Sequence, residues 1–415
     1  MPTNRRDGFG RSGVIWPCAG ALIAAFVLFM GLWQAQPAGA APAVSEHSVT
    51  ADPDVVADSW SRQDLLSAKP APMPTPPEAS FDVPDFDAGV SASTGPFYPP
   101  DPTTLPERFQ GKVFFDLGDN RYQCSGTLVS SRNGNVVYTA GHCVWDVETQ
   151  QWVRNFVFIP GYSNGTSPFE AYVATTLSAP NGYTSAGNFS YDIGMATVDG
   201  DPQADLGGSR QIAFNLDPYR RKYTLYGYPA EPDPPYDGQT LVGCDSQVAL
   251  RDAGIPQTMG VTPCDMRQGT SGGGWITDGN YLNSVTSYTY CETNSSLCEL
   301  LWGPYFSNAA KSLYTSEAAG GSVAPTLKVK FSPPKVVRKR RVLFKFAGAG
   351  STPVHFQCRL DSRSFSKCAA RTLVVNLTAG RHVFRVRSAD QTGHKSDKTI
   401  KKSFRVILKK KKQRR

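Results

Sequence analysis

Apolar positions fall along this chain in four textures. Near the start, Arg5 and Arg6 precede an apolar run from about Val14 to Trp33, and Ala38-Gly39-Ala40 follows it. A run of about 20 residues is long enough to cross a bilayer. With a basic flank before it and small residues after it, residues 1–40 read as a secretory signal, with an uncleaved signal anchor as the alternative. From 41 to 108 the apolar positions thin and proline takes over. Ala71-Pro72-Met73-Pro74-Thr75-Pro76-Pro77 reads as extended linker. This segment is expected to bury little core and to serve as a propeptide or spacer.

Between 109 and 315 short β-rich runs appear, separated by Gly, Asn, Asp and Pro: Lys112–Phe115, Val136–Thr139, Phe156–Ile159, Ile193–Val198, Tyr223–Tyr226 and Ser284–Tyr288. No long stretch carries helical periodicity. Many short strands with frequent turns predict an all-β barrel or sandwich, and the length suits two barrels. Residues 316–325, with Gly320-Gly321-Ser322, read as a linker. Beyond it Val342–Phe346, Val354–Leu360, Leu373–Leu377, His382–Val386 and Ser403–Leu408 run at strand length, which predicts a small β-sandwich over 326–407. Residues 408–415 form a basic tail.

Charge divides the chain at the same place. Of 43 basic residues 26 lie from Thr326 onward, with only 3 of the 35 acidic ones, so the overall +8 describes neither part. Such asymmetry points to a basic module that meets polyanions: cell-surface polymer, membrane or extracellular nucleic acid. A solubilising surface with a disordered tail is the alternative. Setting aside Cys18 in the signal, eight cysteines remain: Cys124, Cys143, Cys244, Cys264, Cys291, Cys298, Cys358 and Cys368. They lie in sequence-local pairs, one of many connectivities that eight cysteines allow. No CxxC occurs, which argues against a zinc ribbon. A disulfide-bonded protein outside the cytoplasm, secreted or on the cell surface, is expected.

The candidate chemistry lies in Gly269-Thr270-Ser271-Gly272-Gly273-Gly274. Glycines allow close backbone approach and let several N–H groups converge on one point, although such runs are often plain loops. A serine hydroxyl needs a base to take its proton. Only five histidines occur: His47 lies in the proline-rich segment and His355, His382 and His394 in the basic module, leaving His142 in the central region.

Thr139-Ala140-Gly141-His142-Cys143 resembles the histidine motif of chymotrypsin-like serine proteases. Gly269-Thr270-Ser271-Gly272-Gly273 resembles their nucleophile motif, and Tyr191-Asp192-Ile193-Gly194-Met195-Ala196 is similar to their acid motif. Cys124-Ser125-Gly126-Thr127, Phe158-Ile159-Pro160-Gly161-Tyr162 and Tyr226-Gly227-Tyr228-Pro229 are similar to the bacterial branch that includes glutamyl endopeptidases. The likeness spans about 110–314. It implies a two-barrel fold and a serine endopeptidase acting on proteins or peptides without a cofactor or metal. Ser271 would attack the scissile carbonyl, His142 would carry the proton, Asp192 would orient His142, and the N–H groups of Gly269 and Ser271 would bind the oxyanion. Ser125, on an expected strand, reads as structural. A protease fold that has become an inactive binding or adhesion protein is the competing reading, and the complete residue set argues against it.

The specificity residues are less marked. Asp265 stands where trypsin-like members hold the acid that binds Arg or Lys, but Cys264 is not placed as in those enzymes. Gln268 precedes the oxyanion turn and is expected near substrate. The stretch Ser284–Tyr288 is expected to form the substrate-binding strand, with Ser284 and Thr286 on it. It lacks the histidine of glutamyl-specific relatives, so glutamate preference is not expected. Thr270 replaces the Asp that receives a freed N-terminus in animal members, so that activation route is not expected either. The basic module, through Phe356-Gln357-Cys358, Cys368 and the rhythm of 377–390, resembles the small immunoglobulin-like domains of bacterial secreted proteins.

Overall fold

A computed structural model of the protein describes residues 44–76, 81–82, 94–99, 101–219, 221–316 and 319–408. The expected signal and the tail after Leu408 lie outside them. Among the described residues no helix is long and apolar enough to cross a membrane.

The first described residues hold more structure than their composition suggests. Strand β1 (Val44–Ser48) leads to helices α1 (Pro53–Asp58) and α2 (Arg62–Ser67). Asp52 caps α1, with proline in its first turn, and Ser61 and Asp64 form a reciprocal capping box on α2. Val56, Trp60 and Leu65 are buried. The expectation that this segment buries little core therefore fails. Helices this short show no clear 3.6-residue pattern and persist only by docking on a formed surface.

That surface is a closed barrel of six strands: β2 (Gln110–Leu117), β3 (Asn120–Val129), β4 (Val136–Thr139), β5 (Arg154–Pro160), β6 (Tyr172–Pro180) and β7 (Gly194–Val198). The strand order is β6-β5-β2-β3-β4-β7, and β7 closes on β6; β1 adds along the other edge of β6. Alternation along each strand feeds two layers. Val113, Phe115, Val137 and Phe158 fill the barrel, whereas Phe114, Tyr138 and Val157 face a second cluster. That cluster also holds Val56, Trp60 and Leu65 of the N-terminal segment, so a strand such as β4 is buried on both faces.

The second half is an open barrel: β8 (Lys222–Gly227), β9 (Val242–Asp252), β10 (Thr258–Thr262), β11 (Gly274–Thr277), β12 (Tyr281–Val285) and β13 (Leu301–Pro304). Its order is β12-β11-β8-β9-β10-β13 around Leu225, Val261, Trp275 and Leu301. Helix α3 (Asn308–Tyr314) lays Ala310, Leu313 and Tyr314 on the cluster between the barrels. This is the two-barrel chymotrypsin-like architecture expected from the sequence.

Residues 328–406 form a sandwich of a three-stranded and a five-stranded sheet. Its core is aromatic, with Phe344 and Phe346 from one sheet against Phe356, Phe384 and Phe404 from the other. The stretch read as a linker is packed down: Ala319 is buried, and Ser322 Oγ donates to Asp390 at 2.5 Å. Gln391 of the sandwich pairs its side-chain amide with the backbone of Phe214, accepting from its N–H and donating to its carbonyl at 2.9 Å each.

Candidate active site

His142 sits on the short 3-10 turn Gly141–Cys143 that ends β4. Cys143 is bridged to Cys124 in β3, which ties the turn to the neighbouring strand. Asp192 lies between the 3-10 turn Phe189–Tyr191 and β7. β7 pairs with β4 in the register Gly194↔Thr139, which brings both residues to one end of the barrel. Gly141 is needed there, because a Cβ would stand 2.8 Å from Asp192 Oδ1 and crowd Tyr183.

Asp192 is fully buried and holds His142 twice. Its Oδ1 accepts the backbone N–H of His142 at 2.8 Å, and its Oδ2 faces Nδ1 at 2.9 Å. Ser287 Oγ donates to the same Oδ2 at 2.5 Å. Beside this carboxylate, burial and the charge of Asp192 push the Tyr183 phenol up, so it stays neutral.

The serine turn belongs to the second barrel but is held by the first. Ser125 N–H donates to the Ser271 carbonyl at 2.7 Å. Ser125 Oγ donates to the Gly269 carbonyl at 2.8 Å and accepts from Tyr228 N–H at 2.9 Å, the structural role expected of it. Gly269 has φ +92°, a conformation disfavoured for residues with a Cβ. With its carbonyl turned to Ser125, neither its N–H nor that of Ser271 donates a hydrogen bond among the described residues. Ser271 Oγ and His142 Nε2 are likewise buried without a partner there.

The remaining expected residues separate. Asp265 accepts from Tyr236 Oη at 2.6 Å, and burial together with this bond pushes the Tyr236 phenol up. Gln268 is half-buried and its carbonyl accepts from Ala230 N–H at 2.7 Å. Ser284 and Thr286 are fully buried: Ser284 Oγ donates to the Pro304 carbonyl at 2.8 Å and Thr286 Oγ1 accepts from Trp275 Nε1 at 3.0 Å. Their side chains pack into the barrel interior beside Trp275. Ser287 was missed, although it lies in the same strand-like stretch, one residue out of phase with Thr286.

All four sequence-local cysteine pairs are joined: Cys124–Cys143, Cys244–Cys264, Cys291–Cys298 and Cys358–Cys368. Cys124, His142 and Cys143 bring three donor atoms within 4.8 Å of one another. They do not fit a metal ion, because both sulfurs are spent in a disulfide and offer no thiolate.

The sequence is 36% identical to the protease Anisep from Arthrobacter nicotinovorans, with 52% of this chain and 96% of that one covered and a TM-score of 0.46. It is 34% identical to the thermostable serine protease AL20 from an extremophilic microorganism, with 50% and 95% covered and a TM-score of 0.46. It is also 33% identical over 107 residues to the extracellular metalloprotease of Bacillus subtilis (strain 168), which is 25% of this chain and 33% of that protein. The chain thus spans about a third of the length of that curated relative. No family model matches. The identity maintained over nearly the full length of two solved relatives, rather than the superpositions, establishes the kinship.

Proposed function

The chain belongs to the chymotrypsin-like serine proteases, and from that premise we propose that it is an exported serine endopeptidase acting through Ser271, His142 and Asp192. The observation that carries this reading is the double hold of Asp192 on His142. It fixes the ring with Nδ1 toward the carboxylate and leaves Nε2 for the serine proton. Ser271 Oγ adds to the substrate carbonyl while Nε2 takes its proton. The tetrahedral oxyanion is met by the N–H groups of Gly269 and Ser271, which make no hydrogen bonds among the described residues. The imidazolium then protonates the leaving amine, and water repeats the cycle on the acyl-enzyme. Hydrogen bonds between nucleophile and base are often long before substrate binds, so their absence at rest is compatible with this role.

The test is labelling with a fluorophosphonate probe. Wild type is expected to label at one site, and Ser271→Ala is expected to stay unlabelled. Equal labelling of Ser271→Ala would refute the assignment and favour an inactive protease-fold binding protein.

A second observation concerns the sandwich. Arg359 stands directly opposite Arg385, Arg385 opposite Lys401, and Arg381 opposite Arg405. Like charges facing each other across strands destabilise a sheet. Their accumulation on one face supports a role in holding the enzyme on a polyanionic surface, and the sandwich is read as immunoglobulin-like. Retention on an anionic matrix should fall steeply between 0.1 and 1 M salt, where the screening length drops to about 3 Å.

A further inference from the structure

We propose that residues Ala68–Pro76 form an intramolecular strap that occupies the substrate cleft of the unprocessed chain and keeps it latent. The proposal rests on reading Ser271 and His142 as the catalytic pair. Its first support is position. Lys69 and Pro70 pair in parallel with Tyr122 and Gln123, and Ala71 N–H donates to the Gln123 carbonyl at 2.9 Å. Gln123 stands two residues before Ser125, which holds the serine turn.

The second support is alternation. Ala71 is 4% exposed and Met73 5% exposed, while Pro72 between them faces outward. Ala71 packs with the interior of the first barrel. Met73 packs with the second, in the cluster that contains Cys264 and Met266 on either side of Asp265. Two residues of extended chain cover only about 6.5 Å. The segment therefore steps from one barrel to the other in a single stride. His142 and Asp192 come from the first barrel and Ser271 from the second, so that stride crosses the cleft between them.

Burial agrees with this placement. Ala71, Pro72 and Pro74 line one side of a cavity of ≈ 760 Å³ whose other walls include His142, Trp145 and Phe189. Ser271 is 0% exposed, and a nucleophile in that state cannot meet a peptide from solution.

The sequence of the strap suits an occupant that is held and not consumed. Prolines at 70, 72 and 74 fix the chain in an extended form before docking, so little entropy is lost on binding. The one N–H used against Gln123 falls on Ala71, a residue that can donate. The peptide bonds after both buried anchors, Ala71 and Met73, lead into proline. These are tertiary amides whose ring crowds the leaving nitrogen. Hydrolysis of a peptide bond beyond Pro76, with water giving a carboxylate and a new amino terminus, would turn a tethered plug into one that can dissociate.

Fluorophosphonate labelling of three samples tests this: the intact secreted chain, the intact chain with Met73→Asp, and wild type after limited proteolysis has removed the residues before Thr94. The proteolysed sample is expected to label at least ten-fold faster than the intact one, with Met73→Asp approaching it. A synthetic peptide of residues 68–76 is expected to slow labelling of the proteolysed sample. Equal rates for intact and proteolysed wild type, or a peptide without effect, would overturn the strap and leave the serine-protease reading standing. No labelling of any sample would overturn that reading, and the strap with it. The peptide arm holds even where Met73→Asp disturbs folding.

Discussion

Two oxygens of Asp192 serve three donors, and the loss of each should register differently. Asp192→Asn leaves the geometry nearly intact but offers an N–H where the imidazole needs an acceptor. A fall in kcat of about 10³–10⁴ is expected, measured on a chromogenic peptide with the processed enzyme. Ser287→Ala removes one hydrogen bond to a buried charged group, so kcat/KM should fall about ten-fold and stability by about 1.5–3 kcal/mol. Lys112 makes a different prediction. It is fully buried, its Nζ donates to the Gly238 carbonyl at 2.6 Å, and burial lowers its pKa to about 7 against a partial opposing pull from Asp237. The unfolded chain then holds more protons than the folded one above pH 7, so stability should rise by roughly 2 kcal/mol from pH 7 to 9. Denaturant midpoints should show this slope in wild type and lose it in Lys112→Met. At this scale His142 was legible because no other histidine lies in its domain. Ser287 was not, since a serine in a strand shows its direction only once the phase of that strand is fixed. Lys112 was hidden inside a run read simply as a strand.

Among elements, the bridge between β3 and the turn carrying His142 has the clearest consequence. Its 19-residue separation predicts a loss of roughly 3 kcal/mol on removal. Cys124→Ser with Cys143→Ser should lower the melting temperature. It should also lower kcat more than KM, because the imidazole and not the substrate pocket loses its anchor. Strands such as β4 and β5 were legible because burial of both faces leaves short apolar runs, whereas β3 and β6 interleave buried polar residues such as Gln123, Ser125, Thr127 and Ser178 and carry no such run. Helices α1 and α2 were not, although Ser61-Arg62-Gln63-Asp64 carries a capping-box signature. Six residues give too little periodicity, and the prolines that follow set the reading of the whole segment.

The whole molecule is joined as well as divided. Gln391 satisfies both the N–H and the carbonyl of Phe214, so Gln391→Ala strands two backbone groups at the junction and should cost about 1–3 kcal/mol. Calorimetry is expected to show protease and sandwich melting further apart in that variant. Within the sandwich both ring nitrogens of His382 face acceptors, Asp361 at 2.8 Å and the Thr378 carbonyl at 3.0 Å. Burial alone would lower this imidazole, but these bonds outweigh it and hold it above its ordinary 6.5. Asp361 is pushed upward by burial but held below 3.8 by the Val383 N–H and by His382. The imidazole contribution is therefore fully present below pH 6.5 and is lost as pH rises through its raised value. The carboxylate contribution is present above pH 3.8 and is lost on acidification. Sandwich unfolding followed from pH 5 to 9 should show an alkaline decline that His382→Gln abolishes. The charge split and the two-part architecture were legible in composition. The docking of the parts was not, because it depends on a few polar side chains such as Gln391 and Ser322 that carry no periodic signal. The adjacency of His142 and Cys143 has one more consequence. The bridge closes one residue from the base, so a chain still in a reducing compartment would hold its imidazole through Asp192 alone, on a turn no longer tied to β3. If the chain is exported as proposed, oxidation on arrival outside would stiffen the turn that carries the base, a safeguard set by place and added to the proposed strap.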